Sequence, residues 1–138
     1  MQFVIDSNEY IYAFGLLSEL EKSSQLLDTL IDNIETYNIR IPRTIFEEVR
    51  RNLSPEAFRE FNEFINNVTE IDEDFVVPFE LGSKYEAKGF KSADAFIAAY
   101  TEWTGSDILV SENRHFLTQH SNLPFKVLTA EKCLKIIK

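Results

Sequence analysis

Asp6 closes the apolar run Phe3-Val4-Ile5, Asp94 sits inside the Ala-rich stretch Ala93 to Ala99, and the polar triplet Ser111-Glu112-Asn113 follows Ile108-Leu109-Val110. Acids gathered at the ends of apolar segments, instead of spread over helix faces, are suited to a cation site, because hard cations are bound by carboxylate and carbonyl oxygens. Glu48 joins them by position. On a helical wheel the apolar face of Ile45, Phe46, Val49 and Leu53 is flanked more closely by Glu48 than by Glu47, whose neighbours Arg43, Arg50 and Arg51 stand at ion-pair spacing. A structural role is open to each acid as well: Asp6 as a helix cap, Asp94 as a first-turn acid favoured by the helix dipole, Glu47 in surface salt bridges.

The rest of the composition frames that reading. The 138 residues are 44% apolar and 13% aromatic, with 12 Phe, which fits one globular domain spanning 1–138 and excludes a disordered chain or a disulfide scaffold. Cys133 is the only cysteine, so an internal disulfide and a multi-Cys zinc site are excluded, and a small apolar role on a helix is expected for it. No stretch reaches the length of a membrane span and no basic segment precedes the first apolar run, from which a cytoplasmic location and no membrane partner are expected. The balance of 14 Lys+Arg against 23 Asp+Glu gives −9, which opposes non-specific binding to a polyanion. Acids concentrated in one metal site reverse that argument locally, because bound cations invert the field.

Elements that position these acids follow from periodicity. Residues 2–6 read as a buried strand, with Ser7 or Asn8 placed to cap a helix running to about Leu20. An amphipathic helix is expected from Lys22 to Tyr37, closed by Asn38, then a short strand Ile39 to Ile41 and a helix opened by Pro42. Ser54-Pro55 starts a helix with the aromatic stripe Phe58, Phe61, Phe64, Ile65 and Val68, expected in the core, with a partner-binding face as the alternative. Thr69 to Ile71 reads as a third strand, and the following Asp72-Glu73-Asp74 as a solvated charge run, since the Gly and distal Glu of a calcium loop are missing. A helix Phe79 to Ala87 ended by Gly89, a helix capped by Ser92 and running through Trp103, a strand within Asp107 to Ser111, a short helix Asn113 to Gln119, a strand Phe125 to Leu128 and a capped helix Thr129 to Ile137 complete the chain. Short apolar strands alternating with helices predict an α/β fold, a short parallel sheet flanked by helices on both faces. If the first and fourth strands are neighbours, Asp6 and Ser111-Glu112-Asn113 share one crevice at their carboxyl ends.

In this order the residues resemble the PIN-domain nucleases, a family that includes the VapC toxins. The family's opening Asp-x-Asn after a strand looks like Val4-Ile5-Asp6-Ser7-Asn8, and its strand, Pro and Glu-bearing helix looks like Ile39 through Glu48-Val49. Its Gly and basic residue ahead of an Asp in an Ala-rich helix matches Gly89-Phe90-Lys91-Ser92-Ala93-Asp94, and its last strand with a following Ser or Thr matches Leu109-Val110-Ser111-Glu112-Asn113-Arg114. The resemblance implies a PIN-like three-layer fold and a catalytic and metal-binding set of Asp6, Glu48 and Asp94. Asn113 stands where the family carries an acid, with Glu112 next door, so either supplies the fourth metal ligand or Asn113 orients a water.

The activity implied is hydrolysis of single-stranded RNA with Mg2+ or Mn2+ as cofactor. Phosphodiester cleavage needs such a cluster because the substrate is anionic and gains charge on the attacking and leaving oxygens. Asn8, Lys91, Arg51, Ser111 and Arg114 are the expected substrate contacts. Lys84, Lys88 and Arg50 are further cations close in sequence. Tyr10 and Tyr12 are placed for stacking or for packing, and His115 and His120 have surface or packing roles. An antitoxin partner and a homodimer are also expected. Two rival functions stay open: a PIN-like module that binds RNA or protein without cutting, and, less well matched, a phosphoacceptor domain, which wants an Asp ending its third strand and a Lys ending its fifth, where this chain's third strand leads into Asp72-Glu73-Asp74 and its last ends at Thr129.

Overall fold

The structure is a computed structural model describing residues 1–15, 22–118 and 122–137. Its elements are β1 (Gln2–Ile5), α1 (Ser7–Phe14), α2 (Lys22–Asp32), β2 (Asn38–Pro42), α3 (Arg43–Asn52), α4 (Pro55–Val68) and β3 (Ile71–Asp72). A single 3-10 turn (Asp74–Val76) leads to α5 (Phe79–Ala87), α6 (Ser92–Trp103), β4 (Ile108–Val110), α7 (Arg114–Thr118), β5 (Lys126–Leu128) and α8 (Ala130–Ile137). The strands form one parallel sheet in the order β3-β2-β1-β4-β5. From β1 the chain builds outward to β2 and β3, then returns to the other side of β1 for β4 and β5. Right-handed crossovers therefore place the helices of the two halves on opposite faces, giving three layers. In one layer α1 packs on α2, α3 and α4, and α2 also on α8; in the other α5 pairs with α6.

Burial explains the strands' continuous apolar sequence. Phe3, Val4, Ile5, Leu109 and Val110 are wholly buried, as a parallel sheet covered on both faces requires. The aromatic stripe of α4 belongs to this core: Phe61, Phe64 and Ile65 are buried, and Phe61 meets Tyr10 edge-on at 5.1 Å and Phe14 at 5.7 Å. Tyr10 is thus a core residue closed to base stacking, and only Tyr12 is exposed. Cys133 is buried in α8, and burial pushes its thiol up to about 12.

Several expected boundaries move. Asp6, and neither Ser7 nor Asn8, caps α1; the end expected for that helix, Leu20, lies outside the described residues, as do Gln119 and His120. The second helix stops at Asp32, because Asn33 turns the chain through bonds from the backbone N–H groups of Thr36 and Tyr37, and Asn38 belongs to β2. Lys91, with no side-chain cap, precedes α6, so Ser92 is its first residue. β3 starts two residues later and ends one residue later than expected. Asp72, Glu73 and Asp74 are half-buried and bonded, and do not form a solvated run. Asp72 accepts from Arg40 at 2.9 Å and from the Tyr100 hydroxyl at 2.5 Å, and Glu73 from Arg43 at 2.8 Å. Asp74 accepts from the Thr44 N–H at 3.0 Å and from the Thr44 hydroxyl, filling the cap that Pro42 cannot provide for α3.

Candidate active site

The pairing of β1 with β4 puts Ile5 beside Val110, and the ladder continues one step as the Asp6 N–H donates to Val110 O at 2.9 Å. Asp6 and Ser111 therefore leave the sheet side by side at the point where strand order reverses, the usual ligand position in such sheets. Both oxygens of Asp6 are held. Oδ1 accepts from the Ser7 N–H at 2.8 Å and Oδ2 from the Ser111 hydroxyl at 2.8 Å. Burial nevertheless raises the Asp6 pKa above the ordinary carboxylate value; these two bonds oppose the shift, and the charges of Glu48 and Asp94 add to it. Glu48 from α3 and Asp94 from α6 thus both act electrostatically on Asp6 at the end of β1.

Ser111 is wholly buried and its N–H is pinned to Leu128 O at 3.0 Å, so its hydroxyl supports Asp6 and does not reach out as a substrate contact. The same hydroxyl accepts from the Asn113 N–H at 3.0 Å. The side chain of Asn113 caps α7, with Oδ1 accepting from the His115 N–H at 2.9 Å. That leaves the amide hydrogens for Asp94, whose Oδ1 accepts from Nδ2 at 3.3 Å. Asn113 therefore presents a donor to the acids, while its carbonyl oxygen is occupied by the cap. Glu112 turns the other way: its Oε2 accepts from the Ala130 N–H at 3.0 Å, at the start of α8.

The two glutamates of α3 separate as well. Glu47 is paired with Arg43 at 3.7 Å and with Arg50, whereas the Glu48 side chain has no hydrogen-bond or ion-pair partner among the described residues. Among the cations, Lys84 is paired with Glu102 at 2.7 Å and Lys88 lies over the Tyr85 ring at 5.2 Å. Asn8, Arg51, Lys91 and Arg114 are exposed, and the three cations make no ion pair among the described residues. A groove of about 680 Å3 lined by Ile11, Phe14, Leu53 and Ala57 contains none of the site acids.

As placed, no three carboxylate, imidazole or thiol groups among the described residues stand close enough to enclose a metal ion. The donor set nonetheless suits a hard cation: all three acids are oxygen ligands, Asp6 is desolvated and surrounded by like charge, and no described cation neutralises the group. Glu9 escaped the sequence reading. It is wholly buried in the first turn of α1, where a glutamate reads as a surface acid favoured by the helix dipole; only the packing of α2 over it changes that.

No protein-family model matches this chain. No curated protein matches it either. Among solved structures, the chain is similar to a chain of VapBC2 from Rickettsia felis, determined bound to a DNA fragment from their promoter. The likeness covers 94% of this chain and 98% of that one, with a TM-score of 0.63 and 16% identity, a similarity of fold.

Proposed function

We propose that this chain is a PIN-type, metal-dependent endoribonuclease that hydrolyses phosphodiester bonds of single-stranded RNA with Mg2+ or Mn2+, as the toxin of a toxin–antitoxin pair. The observation that carries the reading is that Asp6 leaves the sheet at the β1–β4 switch point, desolvated, with the charges of Glu48 and Asp94 acting on it and no described cation paired to it. Asp6, Glu48 and Asp94 are the proposed ligands. A bound divalent ion would neutralise the phosphodiester and lower the pKa of a water it carries. The chain's own residues do the positioning: Ser111 orients Asp6, and Asn113 orients Asp94 through its amide. Lys91, Arg51, Arg114 and Asn8 border the acids in sequence and are the proposed contacts to the RNA backbone. The antitoxin rests on the fold likeness to a chain of a VapBC assembly, and a homodimer is the proposed state of the chain.

The test is cleavage of single-stranded RNA across a Mn2+ and Mg2+ series by wild type and Asp94→Asn. Metal-dependent cleavage by wild type alone supports the proposal. One observation favours the second reading, a binding module that does not cut: Asn113 supplies an N–H where an acid would supply charge. RNA binding with no cleavage at any metal concentration, in wild type and in Asn113→Asp, would establish that reading instead.

A further inference from the structure

Phe75 and Phe79 are each 84% exposed, in a chain whose other described phenylalanines are buried or half-buried. Both are carried on ordered backbone. Phe75 sits in the 3-10 turn, which Asp74 ties to the start of α3 through the Thr44 N–H at 3.0 Å, and the Val76 and Val77 N–H groups close on Glu73 O and Asp74 O at 3.2 Å. Phe79 opens α5, whose inner side is formed by Leu81 and the buried Tyr85, so helical geometry lays Phe79, Gly82, Ser83 and Glu86 along the outer side. Between that side, the turn and the first turns of α6 lies a groove of about 500 Å3, lined by Phe75, Val77, Phe79, Gly82, Ser83 and Phe96. A projecting apolar knob and an apolar hollow thus share one patch. A two-fold axis brings the same patch of two copies face to face, so that the knob of each enters the hollow of the other. We propose that this face of α5 is the interface of a homodimer, with Phe75 and Phe79 of each copy seated in the groove over Gly82 and Ser83 of the other.

A second copy fits this face in size, backbone and charge. A phenylalanine buries about 150–250 Å2 when fully enclosed, so the exposed parts of the two supply roughly 250–400 Å2 per copy, against the roughly 800 Å2 that each partner gives to a standard interface. Gly82 lies inside α5, where glycine is a poor helix former, yet its backbone is not left-handed and a Cβ built on it would meet nothing within 4 Å. Nothing within the chain calls for a glycine there, whereas the close approach of a second helix does. The described residues lining the groove include Asp74 and Glu86 and no cation, which opposes RNA phosphates on this face. An antiparallel crossing centred on Gly82 and Ser83 sets Glu86 of one helix level with Phe79 of the other and keeps the two Glu86 side chains about 10 Å apart along the axis. Such a dimer also spares the candidate site. Ser92 and Phe96 line the groove from α6, while Asp94 lies about 200° round that helix from each, on the side away from the contact.

The experiment is sedimentation velocity of the full chain over a concentration series, with melting curves, for wild type, Gly82→Gln, the double variant Phe75→Ser and Phe79→Ser, and Ile136→Ser as a control at another exposed apolar residue. The same proteins are titrated with a single-stranded oligouridine. Gly82→Gln separates interface from fold: the space over Gly82 is open in the single chain and glutamine is the better helix former, but its side chain fills the hollow a partner must enter. Wild type and Ile136→Ser should be dimers. Gly82→Gln and the double variant should sediment as monomers at the same concentrations, their dimer Kd raised on the order of 100-fold or more, the scale of losing a buried aromatic anchor. At dilutions where wild type is also monomeric, Gly82→Gln should melt no lower than wild type. Should one variant fail to fold, the other decides. The surface rests on the homodimer of the proposed function, and the two fail differently. A wild-type dimer that survives either change in folded protein overturns the surface and leaves the homodimer standing; a wild type that stays monomeric throughout overturns both. A monomeric wild type that binds the oligouridine more tightly than the double variant does would make the patch a base-stacking face instead. None of these measurements reads cleavage, so the nuclease reading is tested separately.

Discussion

The carboxyl edge of the sheet carries two groups of acids built on opposite rules. At β2 and β3, Asp72, Glu73 and Asp74 each meet a cation or a donor: Arg40 and Tyr100, Arg43, and the first turn of α3. At β1 and β4, Asp6 feels the charges of Glu48 and Asp94, and the only described side chains that Asp6 and Asp94 bond are the neutral Ser111 and Asn113. The first group holds the fold together; in the second, Asp6 bears like-charge repulsion that no described cation relieves. Acid that is satisfied internally reads as structure, and acid left for an external cation reads as function.

Exchanging the rules between the groups should show this. The largest effect expected is from Asp94→Asn, which removes one ligand and lowers RNA cleavage by on the order of 10²–10³-fold, the scale of deleting one transition-state electrostatic contact, while its Tm stays close to wild type. Asp72→Ala should do the reverse: it leaves the Tyr100 hydroxyl and Arg40 without their shared acceptor, at a cost of about 1–3 kcal/mol in chemical denaturation, with metal binding per folded molecule unchanged. Asp74→Ala removes the donated cap of α3 and should cost about 1 kcal/mol, read the same way. If Asp72→Ala or Asp74→Ala abolishes Mn2+ binding in folded protein, the two groups are not separable.

Asp6→Asn sharpens the contrast further. The amide keeps the acceptor for the Ser7 N–H and removes the desolvated charge, so the metal-free variant should melt above wild type at neutral pH and lose the upward shift that Mn2+ gives wild type. The smallest effect is in acid. Asp6's folded pKa is raised, so its cost disappears as pH falls; Glu73's is lowered, by its bond to Arg43 first, so its stabilisation is present above 4.5 and lost as pH falls. Glu73→Gln should therefore lower the neutral plateau slightly and flatten the acid limb of the stability curve.

Which of this was legible in the sequence depended on range. Asp6 closing an apolar run and Ser111 following another are local patterns, and the α/β alternation made their adjacency a reasonable expectation that the β1–β4 pairing meets. The acidic run at 72–74 was misread because its partners lie far off in sequence: β2–β3 pairing places Pro42 beside Asp72, and with it Arg40, Arg43 and Thr44. Asn113 shows a finer limit. Its position was legible, but that its carbonyl caps α7 and its amide faces Asp94 is decided by where α7 starts. Glu9 is buried only because α2 packs over α1, a contact with no local signature.

The two bonds on Asp6 also make it a fixed jaw. Each of its oxygens has spent a lone pair on the fold, to Ser7 and to Ser111, so the carboxylate cannot swing to follow an incoming ion. Glu48 is bound by nothing described and Asp94 by a single amide. In the proposed site the pocket would then close like a calliper, its origin set by β1 and its opening set by the two acids on helices, so that ions of different radius are measured against Asp6 and accommodated by Glu48 and Asp94.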